Sequence, residues 1–262
     1  MSAQSAIEIS NPGFVNNAIA VDVDALTKFS ESSGAFDNFA GWAAIFGALG
    51  VSNSSEVIVY DDGEMKFASR VRFLLFYFGV RNTFIVNGGF AALQPLIAAH
   101  KLTATPPGIP VPATFDVSVQ DRPIHLVQRQ EVAAVLGNPA VTLLDARTLA
   151  EFDGCKLLPG IKRGGHIPGA RNLPVEQLLT PQTSDPQFSF LDSPPALFAV
   201  FTNFGLQSAD RIIVYCQDGA KSSLASTALI DAGFTDVSLY YLSYLDWQDD
   251  PADPVESIRP CE

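Results

Sequence analysis

The chain repeats itself, and this constrains its fold more than any other feature of the sequence. Residues 46–60 (FGALGVSNSSEVIVY) align without a gap with residues 201–215 (FTNFGLQSADRIIVY), so that Gly50 falls on Gly205 and Tyr60 on Tyr215. Upstream, GFVNNAIAVDVDAL from Gly13 matches GHIPGARNLPVEQL from Gly165. Downstream, FGVRNTFIVNGGFAAL from Phe78 matches AGFTDVSLYYLSYLDW from Ala232. Three matching segments in one order indicate a duplicated domain, and a chain of 262 residues has room for two.

Each copy reads as alternating helix and strand. A helical stretch leads into a short apolar strand, EVIVY or RIIVY; a second helix follows, FASRVRFLLFYFG or SSLASTALIDAG; then comes NTFIVN or DVSLYY. Gly79 and Gly233 suit the left-handed position that closes a helix. Continuous apolar strands between helices predict an α/β fold in which each domain is a parallel sheet flanked by helices. Crossover helices place the C-terminal strand ends on one edge, where sites form. The prolines of TPPGIPVP mark residues 105–123 as a semi-rigid linker between a first domain at 1–104 and a second at 124–262. The second copy carries a strand, VTLLDAR, before its Gly165 motif, whereas twelve residues precede Gly13 and no such strand fits there. The first domain is therefore expected to be truncated at its N-terminus. An open sheet edge can pair with another chain, which makes homo-oligomerisation through that domain an expectation.

The net charge of -12 argues against nucleic acid or an anionic membrane as partner. The most apolar stretch, residues 71–100, is interrupted by Arg72, Arg81, Asn82 and Asn87 and reads as buried helix and strand, not as a membrane span. The start lacks the order of a secretory signal. Three sparse cysteines, Cys155, Cys216 and Cys261, form neither a disulfide framework nor a CxxC metal motif, which points to a reducing, cytoplasmic setting.

The chemistry concentrates after RIIVY, in Cys216, Gln217, Asp218, Gly219, Ala220, Lys221 and Ser222. A cysteine between a strand and a helix N-terminus can be approached by loop amides and by the positive end of the helix, and both favour the thiolate. Gly219 lets the loop bend, and Ser222 and Ser223 are candidate N-caps. The bland alternative is a buried structural cysteine. Lys221 is the nearest cation in sequence and is either an anion-binding group or a solvated lysine. Arg147, after the strand LLDA, is expected at the same sheet edge, either facing substrate or paired with Asp145 or Glu151. Lys162, Arg163 and Arg171 make the region locally basic.

LLDAR, GGHIPGARNLP, IIVYCQDGAKSS and the late LDW and PVE stretches stand in the order of the rhodanese family, which the second domain resembles along nearly its whole length. The first domain resembles the non-catalytic half of tandem rhodaneses, with Asp61 where the second has Cys216. The resemblance implies a sulfurtransferase without metal or organic cofactor. A persulfide on Cys216 would carry sulfur from a small anionic donor, thiosulfate or 3-mercaptopyruvate, to a thiol, cyanide or thioredoxin-like acceptor. The amides of Gln217 to Ser222 would hold its charge. It also implies a substrate-facing Arg147, a structural His166, and non-catalytic Cys155 and Cys261. The loop itself departs from both tandem types. Thiosulfate enzymes resemble CRKGVT and mercaptopyruvate enzymes CGSGVT, whereas CQDGAK puts the negative Asp218 where the former has a lysine, which should oppose a dianion. Two other readings stand beside this one. A phosphatase of related fold needs an arginine six residues after the cysteine, where this chain has Ser222. A non-enzymatic regulatory or interaction module would tolerate the loss of Cys216.

Overall fold

A computed structural model of the chain describes residues 14–118, 124–181 and 189–257. Two units divide it: Met1–Asp121 with Gln182–Ser189, and Arg122–Pro181 with Phe190–Glu262.

The first unit contains β1 (Phe14–Val15), α1 (Val23–Ser30), α2 (Phe39–Ala48), β2 (Glu56–Val59), α3 (Lys66–Tyr77), β3 (Asn82–Ile85), α4 (Gly89–Ala98) and β4 (Ala104–Thr105). β2 and β3 pair in parallel, with Val57 opposite Thr83 and Ile58 opposite Phe84. Among the described residues this sheet has two strands, and Ile58 and Phe84 lie exposed side by side on it. An aromatic core forms beneath: Trp42 stacks on Phe46 and Phe78, and its indole N–H donates to Ala35 O at 2.8 Å, which satisfies the polar edge of a buried ring. Residues of the expected semi-rigid linker pack on this unit. Phe115 is buried edge-on against Phe46, Ala113 N–H donates to Gly47 O, and Ser118 N–H donates to Phe78 O.

The second unit follows the α/β expectation. It contains β5 (His125–Val127), α5 (Arg129–Ala134), β6 (Val141–Asp145), α6 (Leu149–Phe152), β7 (Arg171–Asn172), β8 (Leu179–Pro181), β9 (Ser189–Leu191), α7 (Pro194–Asn203), β10 (Arg211–Tyr215), α8 (Ala220–Asp231), β11 (Asp236–Tyr240) and α9 (Ser243–Asp249). Five strands form one sheet in the order β5-β11-β10-β6-β7, every neighbouring pair parallel. Ile212, Ile213 and Val214 are buried, as a central strand covered on both faces requires. Val127, Val132, Leu143, Ile167, Ile213, Tyr215, Tyr240, Tyr244 and Trp247 make one core cluster. β6, β10 and β11 end at Asp145, Tyr215 and Tyr240, so Arg147, Cys216 and Ser243 all follow strand ends on one edge of the sheet.

The repeat seen in the sequence recurs in the geometry. Ile212 stands opposite Val237 as Val57 stands opposite Thr83. Tyr215 Oη accepts the Ile167 N–H at 3.2 Å, and Tyr60 Oη accepts the Val15 N–H at 3.2 Å.

Candidate active site

Cys216 begins the turn from β10 to α8 and is 1 % exposed. It is a free thiol. Its surroundings are polar, not apolar: Gly219 N–H donates to Sγ at 3.2 Å, Ser222 Oγ–H donates to it at 3.4 Å, and Sγ lies 3.8 Å from Asp218 Oδ1. Asp218 Oδ1 is itself fixed by the Ala220 N–H at 3.1 Å. Gly219 is the residue the turn requires. Its φ is +95°, and a Cβ there would stand 2.2 Å from Tyr241 O.

One expectation about this loop needs correction. Ser222 and Ser223 are not N-caps. Gly219 caps α8, and both serines lie within its first turn, where Ser222 turns to the sulfur and Ser223 Oγ–H donates to Gly219 O at 2.7 Å. Burial pushes the Cys216 thiol above its ordinary range, and the Asp218 charge adds to the rise; hydrogen bonds from Ser222 and the loop backbone oppose it without winning.

The turn after β11 supports the loop from beneath. Ser243 Oγ accepts the Cys216 N–H at 3.1 Å and donates to Tyr240 O at 2.8 Å. Tyr244 N–H donates to Cys216 O at 3.1 Å, and Leu245 N–H to Gln217 O at 2.9 Å. Gln217 Nε2 reaches Pro159 O at 3.3 Å. Sequence reasoning missed Ser243, although its place in the repeat, opposite Gly89, was a usable signal.

Arg147 is buried and paired, as one of its two expected roles requires. It is 2 % exposed, its Nε and Nη2 donate to Asp145 at 3.0 and 2.6 Å, and Nη2 also donates to Gly165 O at 2.8 Å. The guanidinium lies 4.1 Å from the centroid of the Tyr244 ring. Burial opposes its charge, but Asp145 and the surrounding tyrosines hold the proton more firmly than usual. Arg147 therefore ties β6 to the Gly165 loop and to the turn beneath Cys216.

Lys221 does stay near the sulfur. Its Nζ donates to Glu176 at 2.8 Å and lies 3.9 Å from Glu151. Burial lowers its pKa, but Glu176, Glu151 and Cys216 raise it further, and the net direction is up. The other basic residues turn away. Arg163 donates to the carbonyls of Gln248, Asp250 and Asp253, Lys162 pairs with Asp249, and Arg171 donates to Phe204 O. His166 is buried and stacked on Phe152 at 3.6 Å, with Nδ1 2.9 Å from Phe152 O. Cys155 is disulfide-bonded, which removes the argument for a reducing compartment; Cys261 lies outside the described residues. No helix among the described residues is long and apolar enough to cross a membrane.

In the first unit Asp61 occupies the place of Cys216. It is 7 % exposed, with Oδ1 accepting the N–H groups of Gly63 and Met65 and Oδ2 those of Phe67 and Ala68, at 2.9–3.2 Å. Burial raises its pKa while these amides pull it down. The amide cradle of that loop is filled by the chain's own carboxylate.

A rhodanese-like domain matches residues 128–250. The chain is 30 % identical over 212 residues to a thiosulfate sulfurtransferase of Cricetulus griseus, covering 79 % of this chain and 68 % of that protein. It is 27 % identical over 252 residues to a 3-mercaptopyruvate sulfurtransferase of Escherichia coli, covering 94 % and 84 %. Among solved structures, a complex of EanB with ergothioneine superposes with a TM-score of 0.78 at 20 % identity, covering 94 % of this chain. The chain spans 61 % of EanB's length, and at that identity the likeness speaks for the fold alone.

Proposed function

The chain belongs to the rhodanese family of sulfurtransferases, and from that premise we propose that Cys216 is the residue that carries the sulfur. The observation that supports this reading is the convergence on one sulfur of the Gly219 amide and the Ser222 hydroxyl, at a strand-to-helix turn on the sheet edge where sites form.

In the first half-reaction Sγ attacks the terminal sulfur of the donor. The bond from that sulfur to the rest of the donor breaks, and its electron pair leaves with the remainder: sulfite from thiosulfate, or the enolate of pyruvate from 3-mercaptopyruvate. The proton given up by the Cys216 thiol passes to solvent in the first case and ends on the pyruvate methyl group in the second. Cys216 is left as a persulfide. In the second half-reaction an acceptor nucleophile, a thiol, cyanide or a thioredoxin-like protein, takes the outer sulfur and the cysteine is regenerated. Burial raises the thiol in the free protein, and we place its ionisation in the donor-bound step. Gly219 N–H and Ser222 Oγ–H are then the donors that stabilise the developing anion.

The first unit is best read as a non-catalytic rhodanese-like copy, truncated at its N-terminus by about one strand and one helix, with no counterpart of β6 among the described residues. The recurring tyrosine hydrogen bond and strand register support this, as does a carboxylate, which cannot carry sulfane sulfur, at position 61.

Steady-state kinetics with cyanide as acceptor test the reading. It expects thiocyanate production with parallel double-reciprocal lines, abolished by Cys216→Ser. Full turnover by a folded Cys216→Ser protein would refute it.

A further inference from the structure

Cys216 is buried, whereas Gln217 beside it is half-buried and turns outward. The Gln217 backbone carbonyl accepts Leu245 N–H at 2.9 Å, and its side-chain Nε2–H donates across to Pro159 O at 3.3 Å. Pro159 lies in a tight turn. Ile161 N–H donates to Leu158 O at 3.1 Å, and Gly160 has a φ of +87°, so proline and glycine stand where a type II turn prefers them. Types I and II differ by a flip of the central peptide, and the turn type therefore decides where Pro159 O points. The far side of the turn is firmly held. Gln248, only 4 % exposed, accepts the N–H groups of Lys162 and Arg163 at 3.0 and 3.3 Å and donates to Gly160 O at 3.3 Å. The near side carries Leu157 and Pro159, both exposed, and Gln217 reaches it by a single surface hydrogen bond.

We propose that Gln217 latches this turn over the approach to Cys216 and so sets the size of the molecule that reaches the sulfur. With the Gln217–Pro159 hydrogen bond made, small molecules pass; with it broken, the turn pivots on Gln248 and bulky ones enter. The inference rests on the sulfur-carrying role of Cys216 and deepens it by naming what selects the acceptor. A net hydrogen bond shifts an equilibrium about fivefold, so the open form is a populated minority. A bulky reactant is slowed by the fraction of the protein that is open, whereas a small one is not. Cyanide therefore takes sulfur at either position of the turn, and a larger thiol such as glutathione waits for the open one. Gln217 is a positioning residue in this account, and the Gly219 amide and Ser222 remain the groups that act on the sulfur.

The test breaks the contact from each side. Gln217→Glu keeps the length of the side chain and loses its donor. Gly160→Ala leaves Gln217 intact, but an alanine resists positive φ and drives the turn toward type I, which swings Pro159 O away. Two ratios are measured on the full chain. The first is the rate of labelling of the Cys216 peptide by N-phenylmaleimide over that by iodoacetamide. The second is kcat/KM for glutathione over that for cyanide. A change in the acidity of Cys216 is common to both members of each ratio and cancels. Both ratios should rise about fivefold in both variants. Either ratio staying within about twofold of the wild type in either variant, the least that a net hydrogen bond contributes, would overturn the inference. Labelling needs no sulfur transfer, so the two failures are separable. A wild type that loads no sulfur onto Cys216 would overturn the underlying reading, and the acceptor role with it, whatever the labelling ratio.

Discussion

Ser243 accepts the amide hydrogen of Cys216 at 3.1 Å while its own backbone is held at a φ of +59°. The equivalent position of the first copy is Gly89, with a φ of +57° and a following residue, Phe90, whose N–H donates to Asp61 O as Tyr244 N–H donates to Cys216 O. A left-handed conformation costs a residue other than glycine about 1–2 kcal/mol. The second copy carries that strain where the first does not, and the serine hydroxyl is what it gains: a partner for the backbone of the reactive cysteine.

Ser243→Gly relieves the strain and leaves the Cys216 amide unpaired, at about 1–3 kcal/mol. Ser243→Ala loses the hydroxyl and keeps the strain. Ser243→Gly should therefore melt above Ser243→Ala, and both should load sulfur about tenfold more slowly than the wild type. Thermal melts and single-turnover sulfur uptake measure the two effects separately. Wild-type uptake in Ser243→Gly would reduce Ser243 to a structural residue.

Arg147→Met is expected to act on stability, not on donor binding. It strips Asp145, which is fully buried, of its partner, and breaking such a pair costs about 3–5 kcal/mol. Urea unfolding should show the loss. In the fraction that folds, KM for either donor should stay near the wild-type value; a KM rise without destabilisation would restore Arg147 to the substrate.

Asp61→Ala removes the acceptor of four amides at once, and a loss of about 2–4 kcal/mol is expected from donors left unsatisfied in a buried loop. Denaturation of the full chain gives the number. Persulfide formation at Cys216 by the folded protein should survive the change.

The pH dependence follows from groups whose protonated forms the fold prefers. Burial raises the Cys216 thiol, and burial pushes Tyr244 up to about 12 against the pull of Arg147 and Arg163. Folded-state values above unfolded ones mean stability that is complete below the unfolded pKa and is lost as pH rises through the folded one. The melting temperature should hold up to about pH 9 and fall progressively towards pH 12. Alkylation of Cys216 by iodoacetamide in the absence of donor should still be climbing above pH 9, with no plateau near neutrality.

How much of this the sequence disclosed depended on how local the cause was. RIIVY followed by Cys216, Gly219 and a helical run is decided within a dozen residues, so the strand, the turn and the place of the cysteine between them were legible. So was the centre of the parallel sheet, because β6, β10 and β11 are mostly apolar. The pairing of Arg147 was one of two readings left open, since only the Gly165 loop folding over it decides between them. Ser243 reaches Cys216 through the pairing of β11 with β10, 27 residues apart in the chain, and no local pattern encodes that contact. A helix end and loop amides beside Cys216 can be read from residue order, whereas the burial that raises its thiol belongs to the assembled unit. Short strands such as β5, β7 and β8 span only two or three residues each and leave too little periodicity to read.

Mass spectrometry of the intact protein and of its peptides, after incubation with 3-mercaptopyruvate and no acceptor, tests the central claim most directly. The account predicts one added sulfur atom on the peptide that contains Cys216, removed by cyanide and absent from folded Cys216→Ser. A Cys216 peptide unchanged in mass while the protein consumes the donor, or a sulfur carried by a different residue, would contradict it.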